Sequence, residues 1–311
     1  MSCFFIVFKK SRIKILRFIV STKYFYRNKA KVIILVKNRL SILNQEQEVR
    51  KAKIDDSDSL KELTITGKDF VCLAARDCQL QDGDVIQVCL DTPNTYLMVK
   101  LDATLDSSLI YVPEQKWTFP IIKNENAIEA RAAYRFETKK PYISVRIATK
   151  EEIKSYRNWA LNPHDLQHFT GAYPHASANV ETRNDATFFA CNAIDGTFAN
   201  LYHGPYPYQS WGINQQLDAA LKIEFGREVL LDKVILTLRA DFPHDNYWQQ
   251  VTLKFSDGTH EVFKTVKTEQ RQSFTFAKRA VEWVILTELI QADEPSPFPA
   301  LTQIELFGQN K

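Results

Sequence analysis

Between Arg239 and Trp248 the chain gathers an arginine, two aspartates, a histidine and an asparagine, and His203 supplies a second imidazole upstream. Asp241, His244 and Asp245, taken with His203, are residue types that general acid–base catalysis uses, and paired carboxylates are how glycosidic bonds are cleaved. The same groups on a Pro-containing loop serve equally well as a binding surface. Asp241 and Asp245 around Pro243 are also ordinary turn formers, and Arg239 is a natural ion-pair partner for either. No nucleophile elbow, metal-ligand helix or phosphate loop occurs in the sequence. A binding role is therefore favoured over catalysis, with a hydrolase built on the Asp241/His244/Asp245 loop as the alternative. A protein–protein interaction module using the same loops with aromatic anchors is a third reading.

The elements that must hold these residues are short alternating apolar runs, as half-buried strands require. Leu221–Gly226 and the run from Val234 precede the loop, and Val251–Gly258 follows it. Upstream lie NAIDG (Asn192–Gly196) and LYHGPYPYQSWG (Leu201–Gly212), rich in Pro, Tyr, His and Trp. Gln272–Ala277, Ala280–Leu289 and Leu301–Gly308 read as the last strands. The pattern is a β scaffold carrying binding loops. His203 stands among Gly and Pro, where ligand contact is the favoured reading. His164, His168, His175 and His260 lack such company and are expected at the surface.

A chain of 311 residues is long enough for two domains, and 45% apolar residues suffice for real cores. Residues 1–40 hold eleven of the forty Lys and Arg and none of the thirty-seven Asp and Glu, so the body is mildly acidic. That argues against nucleic acid as a partner. Cys3, Cys72, Cys78, Cys89 and Cys191 are odd in number and show no CxxC spacing, which fits a reducing compartment. At the N-terminus, apolar Cys3–Phe8 precedes the basic residues, and Lys14 and Arg17 interrupt the next apolar stretch. This is not the order of a secretory signal, and the segment is too short and charged to span a bilayer. A cytoplasmic location is favoured, an extracellular one stays open, and a membrane partner is not expected.

The expected class is all-β, with two β-sandwich domains joined by a short helix. Residues 1–30 form a basic extension expected to be poorly ordered. Residues 31–148 read as a β-sandwich of unassigned role, with strands at Lys31–Val36, Leu63–Ala74, Asp84–Leu90, Thr95–Asp102, Ser108–Pro113, Lys116–Ile121, Ala133–Phe136 and Tyr142–Ala148. Asp82-Gly83 and Pro93-Asn94 mark turns between them. Residues 149–170 form a helical linker. Thr149 with Glu152 is a capping box for a helix running to Leu161, and Asn162-Pro163 stops it. Residues 171–311 form the second β domain.

The order NAIDG, an aromatic–His pair, LKIEFG, a strand ending in Arg239, FSDG and a terminal QIELFG resembles a discoidin or coagulation-factor type C domain. This galactose-binding-like group includes the family 32 carbohydrate-binding modules. The resemblance spans about half the chain, Gly171–Gly308, and implies a jelly-roll sandwich that binds a carbohydrate or glycan through loops at one end. It implies His203, Arg239 and Asn246 as sugar contacts. A guanidinium, an imidazole and an amide suit vicinal hydroxyls because each fixes geometry as well as supplying donors or acceptors. An aromatic face usually completes such a site. Trp211, Trp248 and Tyr206 are the candidates, although both tryptophans also suit a core. Asp241, His244 and Asp245 enrich the loop beyond the usual pattern.

The resemblance also implies a structural calcium beside the DG turn, held by Asp195 and the carbonyls of Thr197 and Thr302. Asn200 and Gln303 stand where a threonine and a glutamate are usual. Calcium gains from anionic oxygens, and one carboxylate where two are usual makes a weak or absent site. Asn200 and Gln303 are expected to hydrogen-bond to Asp195 instead. No other cofactor is implied, and nothing in the sequence specifies oligomeric state.

Overall fold

The computed structural model describes residues 37–311. The basic extension 1–30 and the strand expected at Lys31–Val36 lie outside the described residues. The described residues form one compact unit containing two hydrophobic cores. The architecture is all-β apart from short helical segments, as the sequence implies. Among the described residues no helix is long and apolar enough to cross a membrane.

The first core lies between two four-stranded antiparallel sheets. One contains β1 (Lys37–Leu43), β2 (Thr64–Lys68), β4 (Val85–Leu90) and β7 (Lys116–Pro120), in the order β2-β1-β4-β7. The other contains β3 (Phe70–Ala74), β5 (Thr95–Lys100), β6 (Ser108–Val112) and β8 (Tyr142–Ile147), in the order β3-β8-β5-β6. The period-2 pattern dictates the layering. In β4, Ile86, Val88 and Leu90 are buried, and in β5 so are Leu97 and Val99. The single run expected over Leu63–Ala74 is two strands, because Asp69 adopts φ 62° and turns the chain from one sheet to the other. Ala133–Phe136 is a turn, not a strand: Arg135 and Glu137 bond to Ala132 and Tyr134, and Phe136 takes φ 61° to bury its ring. A short helix, α1 (Glu125–Glu129), capped by Asn124, precedes that turn.

The capping box at Thr149 is present, yet the helix it opens, α2, ends at Lys154 rather than Leu161. Arg157 and Asn158 instead pair with Gly308 and Phe307 at a sheet edge, and Trp159 is 3% exposed in the second core. Burying an indole and closing a ladder outweigh a few more helical hydrogen bonds. The linker is thus part of the second sandwich.

That sandwich is an eight-stranded antiparallel sheet wrapped around one core. Its main strands are β9 (His175–Ala178), β10 (Leu221–Leu238), β11 (Trp248–Phe255), β12 (His260–Lys264), β13 (Gln272–Gln291) and β14 (Ala300–Asn310). The two apolar runs of Leu221–Leu238 form one strand with register shifts after Glu224 and Leu231, and such bulges bend a strand so that both halves cover one core. Gly226 sits at the first shift with φ 68°, and a Cβ there would fall 2.2 Å from the Tyr173 ring, so no other residue fits.

The two sandwiches meet along a polar and aromatic seam. Tyr111 and Tyr173 exchange both backbone hydrogen bonds, at 2.8 and 2.9 Å. Arg227 stacks over Tyr96, Tyr111 and Trp159 and donates from Nε to the Tyr96 hydroxyl, which itself donates to Asn310. His164, expected at the surface, is 1% exposed in this seam: Nε2 accepts the Leu101 N–H, and Nδ1 bonds to Ser108. His175 is also buried, paired with Asp165 at 2.8 Å. His168 and His260 are exposed.

Candidate functional site

The expected loops converge at one end of the second sandwich around a cleft of about 520 Å³, lined among others by His203, Arg239, His244, Asp245 and Phe298. Arg239 follows β10, where its N–H bonds to the Ala300 carbonyl and fixes the direction of its side chain. The guanidinium, 6% exposed, donates through one terminal nitrogen to Asp245 Oδ1 at 2.5 Å and to the Phe298 carbonyl at 3.0 Å. Nε approaches Asp245 Oδ2 to 2.5 Å without a hydrogen-bonding angle. The pair is therefore a buried ion pair held by one good bond. Burial pushes the Asp245 carboxyl above its ordinary pKa, with Arg239 pulling the other way.

In front of this floor stand two imidazoles. His203, with a side chain 40% exposed, bonds through Nδ1 to Asp241 at 2.5 Å, and the more exposed His244 approaches the same carboxylate at 3.4 Å. Tyr202 stacks on His203 with ring centroids 5.1 Å apart. Ligand atoms of His203, Asp241 and Asp245 lie within 4.8 Å of one another, a spacing that suits a metal ion. Arg239 already compensates Asp245, so a cation would have to displace a guanidinium. An acid–base role for Asp245 meets the same obstacle, since its buried carboxylate is tied to Arg239.

Four expected ligand contacts do other work or lie elsewhere. Asn246 is fully buried, and its Nδ2 donates to the carbonyls of Ala292 and Ser296 at 3.0 and 2.9 Å. It staples the 240–247 loop to the 292–299 loop, a task of two buried acceptors that leaves no amide N–H for a sugar. Trp248 and Trp211 are fully buried, 6.1 Å apart between ring centroids, and belong to the core. Strand alternation puts both indoles inward, so neither offers a face. Tyr206 is 41% exposed but lies outside the cleft, where its N–H donates to the Glu129 carbonyl of the first sandwich. The exposed ring in the cleft is Phe298, 49% exposed, which sequence reasoning missed. The signal was an aromatic residue between prolines in SPFPA, Ser296–Ala300, where a ring has no core to enter.

Asp195 forms a second, closed centre. Its Oδ1 accepts from the Thr197 N–H at 2.7 Å and Gln303 Nε2 at 2.9 Å, and its Oδ2 accepts from Gln209 Nε2 at 2.6 Å. The Gln303 amide is oriented by its neighbours: Oε1 accepts from Gly196 N–H, and Nε2 also donates to the Asn192 carbonyl. Both carboxylate oxygens therefore face N–H donors, which a cation would not tolerate, and the residues do not fit calcium. Asn200, expected to bond to Asp195, instead donates to the carbonyls of Leu238 and Glu269. Thr302 is buried with its hydroxyl unpartnered. Burial pushes the Asp195 carboxyl up to about 6.

No family model and no curated protein matches this sequence. Solved structures do. A chitosan-binding module from a chitosanase/glucanase of Paenibacillus sp. IK-5 is 18% identical, covering 49% of this chain and 98% of its own, with a TM-score of 0.33. A family 32 carbohydrate-binding module from C. perfringens, in complex with galactose, is 18% identical over 42% of this chain and 91% of its own, with a TM-score of 0.33. A fucose-binding module from Streptococcus pneumoniae is 14% identical over 49% and 98%, with a TM-score of 0.35.

Proposed function

We propose that this chain is a non-catalytic carbohydrate-binding protein whose second sandwich takes a sugar in the loop cleft. The observation that carries the reading is the convergence of exposed imidazoles and an exposed phenyl ring above a buried Arg239–Asp245 pair. His203 and His244 would hydrogen-bond to ring hydroxyls, and Phe298 would lie against the apolar C–H face. Asp241 acts as the positioning residue for His203, and Asn246 holds the two loops at their separation. A cleft of this size, mostly preformed, suits a small glycan.

A glycan array followed by titration calorimetry of the full chain tests the reading. Binding of at least one sugar, weakened by His203→Ala and by Phe298→Ala with melting temperature retained, is the expected result. An array without a hit, or a hit indifferent to both substitutions, would overturn it. Hydrolysis of the bound glycoside, lost in His244→Ala, would replace it with the hydrolase reading.

A further inference from the structure

A larger cavity, about 560 Å³, opens between the two sandwiches, apart from the loop cleft and with Asp195 on one wall. Its walls include Phe119, Phe136 and Phe169 and two arginines, Arg131 and Arg135, from the turn that follows α1. Arg131 donates one N–H to the Ile122 carbonyl at 2.6 Å, and Arg135 donates Nε to the Thr104 hydroxyl at 3.3 Å. Neither guanidinium forms an ion pair with a carboxylate among the described residues, whereas Arg50, Arg76, Arg146, Arg183, Arg239, Arg271 and Arg279 each do. Burial lowers the pKa of both, and each guanidinium lies within the field of the other or of nearby acids.

Two carboxylates also line the cavity, and both are already satisfied. Asp165 is bonded to His175 and to the Ala176 N–H, and Asp195 accepts from Thr197, Gln209 and Gln303. Arg131 keeps one terminal nitrogen and Arg135 both of its terminal nitrogens without a hydrogen-bond partner among the described residues, and the exposed His168 also lines the cavity. Two half-buried guanidiniums beside aromatic walls are costly unless something anionic completes them, and planar forks match a carboxylate or a phosphate.

We propose that this cavity binds a small organic oxyanion, with the anionic group on Arg131 and Arg135 and an apolar ring against the phenylalanines. The test is calorimetry on the full chain with phenyl phosphate, benzoate, inorganic phosphate and the neutral benzamide. At least one of the two aromatic anions is expected to bind roughly tenfold or more tightly than benzamide, and which one does so separates a phosphate from a carboxylate ligand. Arg135→Gln and Arg131→Gln are each expected to weaken that binding about tenfold, the usual scale for losing a charged hydrogen bond. Should the glutamine variants fail to fold, Arg135→Lys keeps the charge but loses the fork and is still expected to weaken binding several-fold, roughly as such exchanges do. Anions that bind no better than benzamide, or affinity unchanged in the folded variants, would overturn the assignment.

Discussion

Asp195, half-buried, and Asp245, buried, are both carboxylates of the second sandwich, and the fold satisfies them by different means. Asp195 is enclosed by neutral donors, a backbone N–H and two glutamine amides, and becomes a closed structural joint. Asp245 is met by the guanidinium of Arg239, and the pair forms the floor of an open cleft. Burial raises both carboxyls, but only Asp245 has a bonded cation to oppose it. The difference teaches that an acidic residue in a DG turn is not by itself a metal ligand. What matters is whether its neighbours bring protons or lone pairs.

The largest test breaks the charged centre. Arg239→Ala leaves Asp245 buried without its partner, and about 3–5 kcal/mol of stability should be lost, as is usual when one member of a buried pair is removed. Chemical denaturation at neutral pH measures it, and a loss near zero would mean that Asp245 is not a buried charge. Restoring shape without charge in Arg239→Met with Asp245→Leu should recover much of the loss.

The neutral centre makes a prediction of opposite kind. With its carboxyl raised from 3.8 to about 6, folded Asp195 holds a proton that the unfolded chain has already released. Its contribution is fully present below pH 3.8 and is lost as pH rises through 6, a swing of about 3 kcal/mol at 1.36 kcal/mol per unit. Buried His164 runs the other way. Burial holds it down to about 3, so the stability it contributes is present above 6.5 and is lost as pH falls toward 3. Denaturation midpoints from pH 4 to 8 should therefore be steeper on the acid side for Asp195→Asn, which removes the opposing slope. Parallel curves for wild type and variant would sink the claim.

Smaller effects sharpen the division between cleft and core. Phe298→Ala and His203→Ala should each lower sugar affinity about tenfold, equivalent to 1.4 kcal/mol, with melting temperature changed little because both side chains are exposed. Trp248→Ala is the contrasting control and should unfold the domain or cost about 3–5 kcal/mol, the usual range for an emptied aromatic site. The smallest expected effect is that of a chelator. Since Asp195 is saturated with N–H donors, excess chelator should leave the melting temperature where it was, whereas a bound ion would add RT ln(1 + [L]/Kd) of stability. A fall on the order of ten degrees, as loss of a tight ion gives, would reinstate a calcium site.

Much of this was legible in the residues. Alternating runs marked β4, β5, β7 and β8 close to their observed bounds, because a strand with one buried face writes period 2 into its sequence. The capping box at Thr149 was legible for the same local reason: its hydrogen bonds close within three residues. His203 and Arg239, which the resemblance to discoidin-like domains implied would share a site, both line the loop cleft.

What the sequence could not determine was partition between inside and outside where the local pattern is neutral. A tryptophan serves equally as core or platform, and only the wrapped sheet put Trp211 and Trp248 inside and left Phe298 out. Asn246 reads as a ligand until two loops, distant in sequence, present it with a pair of carbonyls. The helix from Thr149 stopped early because a sheet edge more than a hundred residues away competed for Arg157 and Asn158. His164 became a buried seam residue through partners in the other sandwich. In each case the deciding partner lies far along the chain, and long-range burial outweighs any preference the local sequence expresses.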